Sequence, residues 1–130
     1  MDPVVILGTR AHGLTVLDLK RTGAAPPDEA LVEVTSDGLS AATWVYEYPD
    51  FARFVAFLTD MERDWRGWDG ARDWANLEGQ LAITAEHTGA HVTFRVTMER
   101  FVDWEVRADL TVGPGEDITN AVLAAKSLFA

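Results

Sequence analysis

Between Phe51 and Trp65 the apolar positions Phe51, Phe54, Val55, Leu58, Met61 and Trp65 recur at spacings of three and four, and Arg53, Asp60, Glu62, Arg63 and Asp64 fall mostly elsewhere. That is the stripe of an amphipathic helix. Pro49-Asp50 ahead of it supplies a proline suited to helix entry and a carboxylate that can accept the free N–H groups of the first turn. From Leu81 onward the period drops to two, as a sheet with one dry face and one wet face demands. Leu81, Ile83 and Ala85 precede the turn His87-Thr88-Gly89-Ala90. Val92, Phe94, Val96 and Met98 point inward on the next strand, and Val102, Trp104, Val106, Ala108 and Leu110 on the last. The opposite face carries Thr93, Arg95, Thr97 and Glu99 beside Asp103, Glu105, Arg107 and Asp109, and it should meet solvent or a partner.

The first part of the chain reads as two hairpins. Val4–Thr9 and Leu14–Lys20 flank Arg10-Ala11-His12-Gly13, and Leu31–Thr35 and Leu39–Tyr48 flank Ser36-Asp37-Gly38. Between the hairpins, Thr22–Asp28 contains paired prolines and forms a loop. In the fourth strand Ala42, Trp44, Tyr46 and Tyr48 share one face and Leu39, Ala41, Thr43 and Val45 the other. Both faces are apolar, which predicts a central, well-buried strand. Gly113-Pro114-Gly115 ends the last strand, and Asp117 is placed to cap a final helix with the stripe Ile118, Ala121, Val122, Ala125 and Phe129. The sum is an α+β fold over residues 1–130 as one domain: a mostly antiparallel, curved sheet of about seven strands. The element order is four strands, helix, three strands, helix, with both helices packed on one face.

At 130 residues the chain can bury roughly two-thirds of its unfolded surface without a metal or disulfide. It has no cysteine, which removes thiolate chemistry and favours a reducing compartment. The start, Met1 to Leu7, has an apolar run without a basic leader, and no stretch approaches the ~18 residues that span a bilayer. A cytoplasmic protein is expected. Eleven Lys and Arg against 21 Asp and Glu give a net charge of −10, which repels nucleic acid and anionic membranes and attracts cationic partners. Solubility alone is the competing account of that charge.

Catalytic signatures are missing. His87 and His91 flank a glycine-containing turn instead of sharing a helix face, and Glu86 beside them would still leave a zinc site short of a ligand. Gly8–Gly13 lacks the lysine and the strand-to-helix setting of a phosphate loop, and no G-x-S-x-G occurs. Asp103 and Glu105 share a sheet face, but alternation on an exposed strand produces that pair without any catalytic role. The acidic residues Asp60, Asp64, Asp69 and Asp73 miss the spacing of a calcium loop. No catalytic, cofactor-binding or metal residue is assigned. The segment Asp64–Trp74 stands out for Trp65, Trp68 and Trp74 among charges and glycines. Trp65 and Trp74 are expected to close the end of the core, and Trp68, between two glycines, is the exposed candidate for an interface anchor.

These residues carry a resemblance. The helix followed by Trp68-Asp69-Gly70 and Trp74-Ala75-Asn76-Leu77-Glu78-Gly79, the strand with Leu81, the hairpin at His91–Val96 and the strand around Trp104 resemble a small actinobacterial family of unknown function. That family in turn looks like the wall-associated-protein immunity proteins that neutralise polymorphic toxins. The similarity spans about residues 29 to 130 and rests on packing and turn positions. It implies a non-catalytic inhibitor that sets acidic and aromatic surface against a basic toxin domain. The contact residues expected on this reading are Trp68, Asp69 and Asp73 in the loop and Glu99, Asp103 and Glu105 on the polar sheet face. The chain itself would be a monomer or weak dimer. The competing reading is a small-molecule binder or enzyme with a cavity lined by Trp44, Tyr46, Phe94 and Trp104. A third is an oligomeric scaffold built on the apolar strand Leu39–Val45.

Overall fold

Asp37-Gly38 sets the register of the first half. Ser36 pairs with Leu39, leaving these as a two-residue turn in which Gly38 takes φ 74°, a conformation glycine adopts without Cβ strain. The computed structural model describes all of residues 1–130. β1 (Val4–Gly8), β2 (Gly13–Lys20), β3 (Glu29–Ser36) and β4 (Leu39–Tyr46) form an antiparallel sheet in that order. Helix α1 (Ala52–Arg63) follows. A second antiparallel sheet comprises β5 (Ala71–Ala75), β6 (Leu81–His87), β7 (Val92–Arg100) and β8 (Trp104–Val112), again in chain order, and α2 (Glu116–Leu128) ends the fold.

The α+β class read from the sequence holds, with eight strands in two four-stranded sheets in place of one sheet of about seven. The additional strand is β5, whose Ala71-Arg72-Asp73-Trp74-Ala75 was expected to be loop. It is short, with charged Arg72 and Asp73 interrupting any apolar alternation, and pairing with β6, not its own pattern, makes it a strand. The fourth strand is not central: β4 pairs with β3 alone and forms an edge.

Helix α1 begins where expected, with the Asp50 carboxylate accepting the Ala52 N–H at 2.9 Å. It ends at Arg63, so Trp65 leaves the stripe and is 47% exposed. In α2 the residue at the N-cap is Gly115; Asp117 lies in the first turn and accepts the Gly113 N–H at 2.8 Å. Val102, expected to point inward, sits in the β7–β8 turn and is exposed. No helix is long and apolar enough to cross a membrane.

Both sheets and both helices supply one cluster of 29 buried residues. The alternating positions Leu81, Ile83, Ala85, Val92, Phe94, Val96 and Met98 are all buried, as their period of two requires. The helices pack on each other, α2 beside β1 and α1 beside β5. Phe51 stacks on Phe129 with centroids 4.5 Å apart, and Phe54 lies 4.9 Å from Trp74, locking the end of α2 onto α1 and β5.

Candidate functional site

The largest surface concavity follows from the edge position of β4. The outward face of the first sheet carries Glu29 and Leu31 from β3 and Ala42, Trp44 and Tyr46 from β4. Across from them stand Glu78 and Gln80 of the β5–β6 turn and Arg100 and Phe101 at the β7–β8 turn, enclosing an open groove of about 730 Å³. Phe101 is held at φ 47° and is 80% exposed. A bulky residue in the left-handed region is strained, and the core gains nothing from this ring.

Two carboxylates, Glu29 and Glu78, stand with one guanidinium, Arg100, in the groove. Burial of Tyr46 raises its phenol pKa above the ordinary 10.0, and the negative charge of Asp28, the neighbouring Tyr48, Glu78 and Glu29 raise it further. The Lys20 ammonium lies 4.1 Å from the centre of the Trp44 ring, so this aromatic face already carries one cation.

A buried polar junction holds the two walls together. Glu47, 1% exposed, accepts the Leu77 N–H at 2.9 Å and a hydrogen bond from the Arg53 guanidinium at 2.9 Å. The Asn76 amide donates to the Tyr46 carbonyl at 2.8 Å and to the Gln80 side chain, and its oxygen accepts the Leu81 N–H at 2.8 Å. The end of β4, α1 and the β5–β6 turn are thereby fixed to one another, which sets Glu78 and Gln80 opposite Tyr46.

The residues singled out from sequence as contacts are divided by the fold. Trp68 is half-buried against the core, with the Arg72 guanidinium 4.6 Å from its ring and His87 edge-on at 5.1 Å. It is not the exposed anchor expected, because β5 folds the loop back onto the sheet; its indole N–H is buried without a partner. Arg72 also bonds Asp64 at 2.8 Å, and the hydrogen bonds from Arg63 and Arg72 hold the Asp64 carboxyl below the usual aspartate range. His87 spans the same loop: one ring nitrogen meets the Trp65 carbonyl at 2.8 Å and the other accepts the Gly89 N–H at 3.0 Å.

Asp69 and Asp73 are exposed beside this loop, and Asp73 accepts the Thr84 hydroxyl at 2.9 Å. Glu99 and Glu105 face each other across β7 and β8, with Asp103 in the adjoining turn. Glu99 alternates with Arg100 and so lies, with Glu105, on the sheet face turned away from the groove, whereas Asp69 and Asp73 lie at the β5 edge of the second sheet. Of the four residues read as lining a cavity, Trp44 and Tyr46 line the groove and Phe94 is fully buried; half-buried Trp104 is not among its lining residues. Sequence reasoning missed Glu29, Glu78, Gln80, Arg100 and Phe101, which are separated along the chain and converge only through the turns. A large aromatic next to the turn at Val102-Asp103 was the one available signal.

No curated protein and no solved structure matches this chain. A family match covers residues 6–130, taking in the first hairpin that the resemblance read from sequence had largely left aside. The chain belongs to that family, a family of unknown function (DUF6228).

Proposed function

We propose that the chain is a non-catalytic binding domain for a basic protein, of the immunity type: an inhibitor that covers a toxin domain inside the cell. The observation that carries this reading is the groove at β4, where Trp44 and Tyr46 stand with Glu29 and Glu78 on a chain of net charge −10. Aromatic rings and carboxylates together suit the Arg and Lys side chains of a basic surface, and a field of one sign speeds encounter with such a partner. Glu99, Asp103 and Glu105, with Asp69 and Asp73, would belong to a second, peripheral acidic contact on and beside the polar face of the second sheet.

The test is a low-salt pull-down with the tagged chain and identification of any stoichiometric partner. A basic protein released at high salt is the expected outcome, because the Debye length shrinks from about 8 Å at physiological ionic strength to about 3 Å at 1 M and exposed charge contacts weaken with it. Recovery of no specific partner would sink the reading. Trp68→Ala is expected to lower stability by about 3 kcal/mol in a denaturant titration, since the ring packs on the core; loss of binding by that variant with unchanged stability would restore Trp68 as a direct contact.

A second reading has one observation in its favour. A groove of about 730 Å³ lies within the size range of small-molecule sites, and Trp44 and Tyr46 line it. A ligand screen that raises the thermal midpoint by several degrees, and whose hit is lost in Trp44→Ala, would support that reading over the first.

A further inference from the structure

Edge strands expose a row of unpaired N–H and C=O groups, and proteins ordinarily blunt them with charge, proline, bulges, shortness or a covering element. Three of the four edges here are managed that way. β1 has five residues, a register shift between Val5 and Leu7, and α2 against it. β5 has five residues, carries Arg72 and Asp73 and meets α1. β8 carries Glu105, Arg107 and Asp109 and approaches β1. β4 has only an approach to β7: Leu39-Ser40-Ala41-Ala42-Thr43-Trp44-Val45-Tyr46 contains no charge and no proline, and its eight residues pair with β3 without a bulge.

The register fixes which groups are free. Ser36 and Leu39 close a two-residue turn and form a hydrogen-bonded pair, so Leu39, Ala41, Thr43 and Val45 direct their backbone groups to β3. Ser40, Ala42, Trp44 and Tyr46 direct theirs outward. The Glu47 N–H donating to the Asp28 carbonyl at 2.9 Å and the Tyr46 carbonyl accepting Asn76 keep that phase. The backbone groups of Ser40, Ala42 and Trp44 have no partner.

We propose that β4 is a strand-addition edge: an extended segment of a basic protein pairs with Ser40–Trp44 and lays an Arg or Lys side chain against Trp44, Tyr46, Glu29 and Glu78. The proposal rests on the reading of the chain as a binder of basic protein and gives that reading its mode of contact. Main-chain hydrogen bonds supply affinity in such complexes and side-chain pockets beside the strand supply specificity. Whole-chain charge decides the occupant: Glu29 and Glu78 stand with Arg100 in the groove and Lys20 over Trp44, but the net charge of −10 attracts a basic segment, whereas a second copy would bring another −10 to the same edge.

The probe is a phage-displayed library of random linear peptides selected on the intact wild-type chain. Selected peptides should alternate basic with other residues and bind Ala42→Pro at least about tenfold more weakly, the loss expected from deleting one hydrogen bond and disturbing its neighbours. Proline is tolerated at an edge position whose N–H faces away from the sheet, and circular dichroism with the thermal midpoint checks that the variant is folded. Amide exchange on the wild type needs no variant: the Ala42 and Trp44 N–H groups should exchange fast in the free chain and become protected by a selected peptide. Peptides without basic residues, equal binding to Ala42→Pro, unprotected Ala42 and Trp44 amides, or no enrichment over bare support would each overturn the proposal. So would a concentration-dependent dimer abolished by Ala42→Pro, which would make the edge self-pairing. A basic partner from the pull-down that binds Ala42→Pro as tightly as wild type would end the strand-addition mode while leaving the binding function standing.

Discussion

Tyr46 reports the state of the groove. Its phenol pKa is raised by burial first and then by Asp28, Tyr48, Glu78 and Glu29. Glu78→Gln should therefore bring it part of the way back toward 10.0, measured by ultraviolet titration, with burial leaving it still above that value. The linkage sign follows: because the folded pKa is higher than the unfolded one, the neutral phenol contributes stability that is fully present below pH 10 and is lost as pH rises through the raised value. A cation placed beside Tyr46 acts oppositely to the carboxylates, so a bound basic peptide should lower the phenol pKa. Phe101 is the other informative single residue. Relief of its left-handed backbone in Phe101→Gly should raise stability by about 1 kcal/mol in urea titration, while affinity for a basic partner falls. Loss of stability instead would show that the exposed ring supports the turn.

Among the elements, the β5–β6 turn is the one whose position depends on a single buried charge. Glu47 accepts from Leu77 and Arg53, and Arg53 also donates to the Ala75 carbonyl at 3.0 Å. Glu47→Ala leaves the Leu77 N–H without its acceptor and should cost about 2 kcal/mol, with amide exchange rising first across Asn76–Gln80. An unchanged urea midpoint would mean that the turn is held by Asn76 without Glu47. The elements also divide by how much their own sequence says about them. The stripes of α1 and α2 and the alternation of β6 and β7 were legible because each buries one face against the core. β5 was not: Trp74 is its one fully internal side chain, and its partner β6 supplies the backbone hydrogen bonds that define it.

For the whole molecule, charge and topology act together. The net charge of −10 is a property of composition, but its use depends on where the fold leaves unpaired surface. Association with a basic partner should show an on-rate that falls steeply between low and physiological salt with a smaller change in off-rate, measured by stopped-flow tryptophan fluorescence. A salt-independent on-rate would separate the acidic composition from binding and leave solubility as its account.

The α+β class, the two helices, seven of the eight strands and most of the core are legible in the residue pattern alone, because helical and strand periodicities are local consequences of burying one face. Tertiary structure alone decided strand order. The two apolar faces of Leu39–Tyr46 predict a central strand, but pairing is a relation between segments and no periodicity within one segment encodes its neighbours. Placed at the edge, the same residues keep the composition of an interior strand while presenting open hydrogen-bonding groups and a groove. The same limit explains Trp68, whose sequence context reads as an exposed loop and whose ring is drawn inward by Arg72, His87 and the pairing of β5.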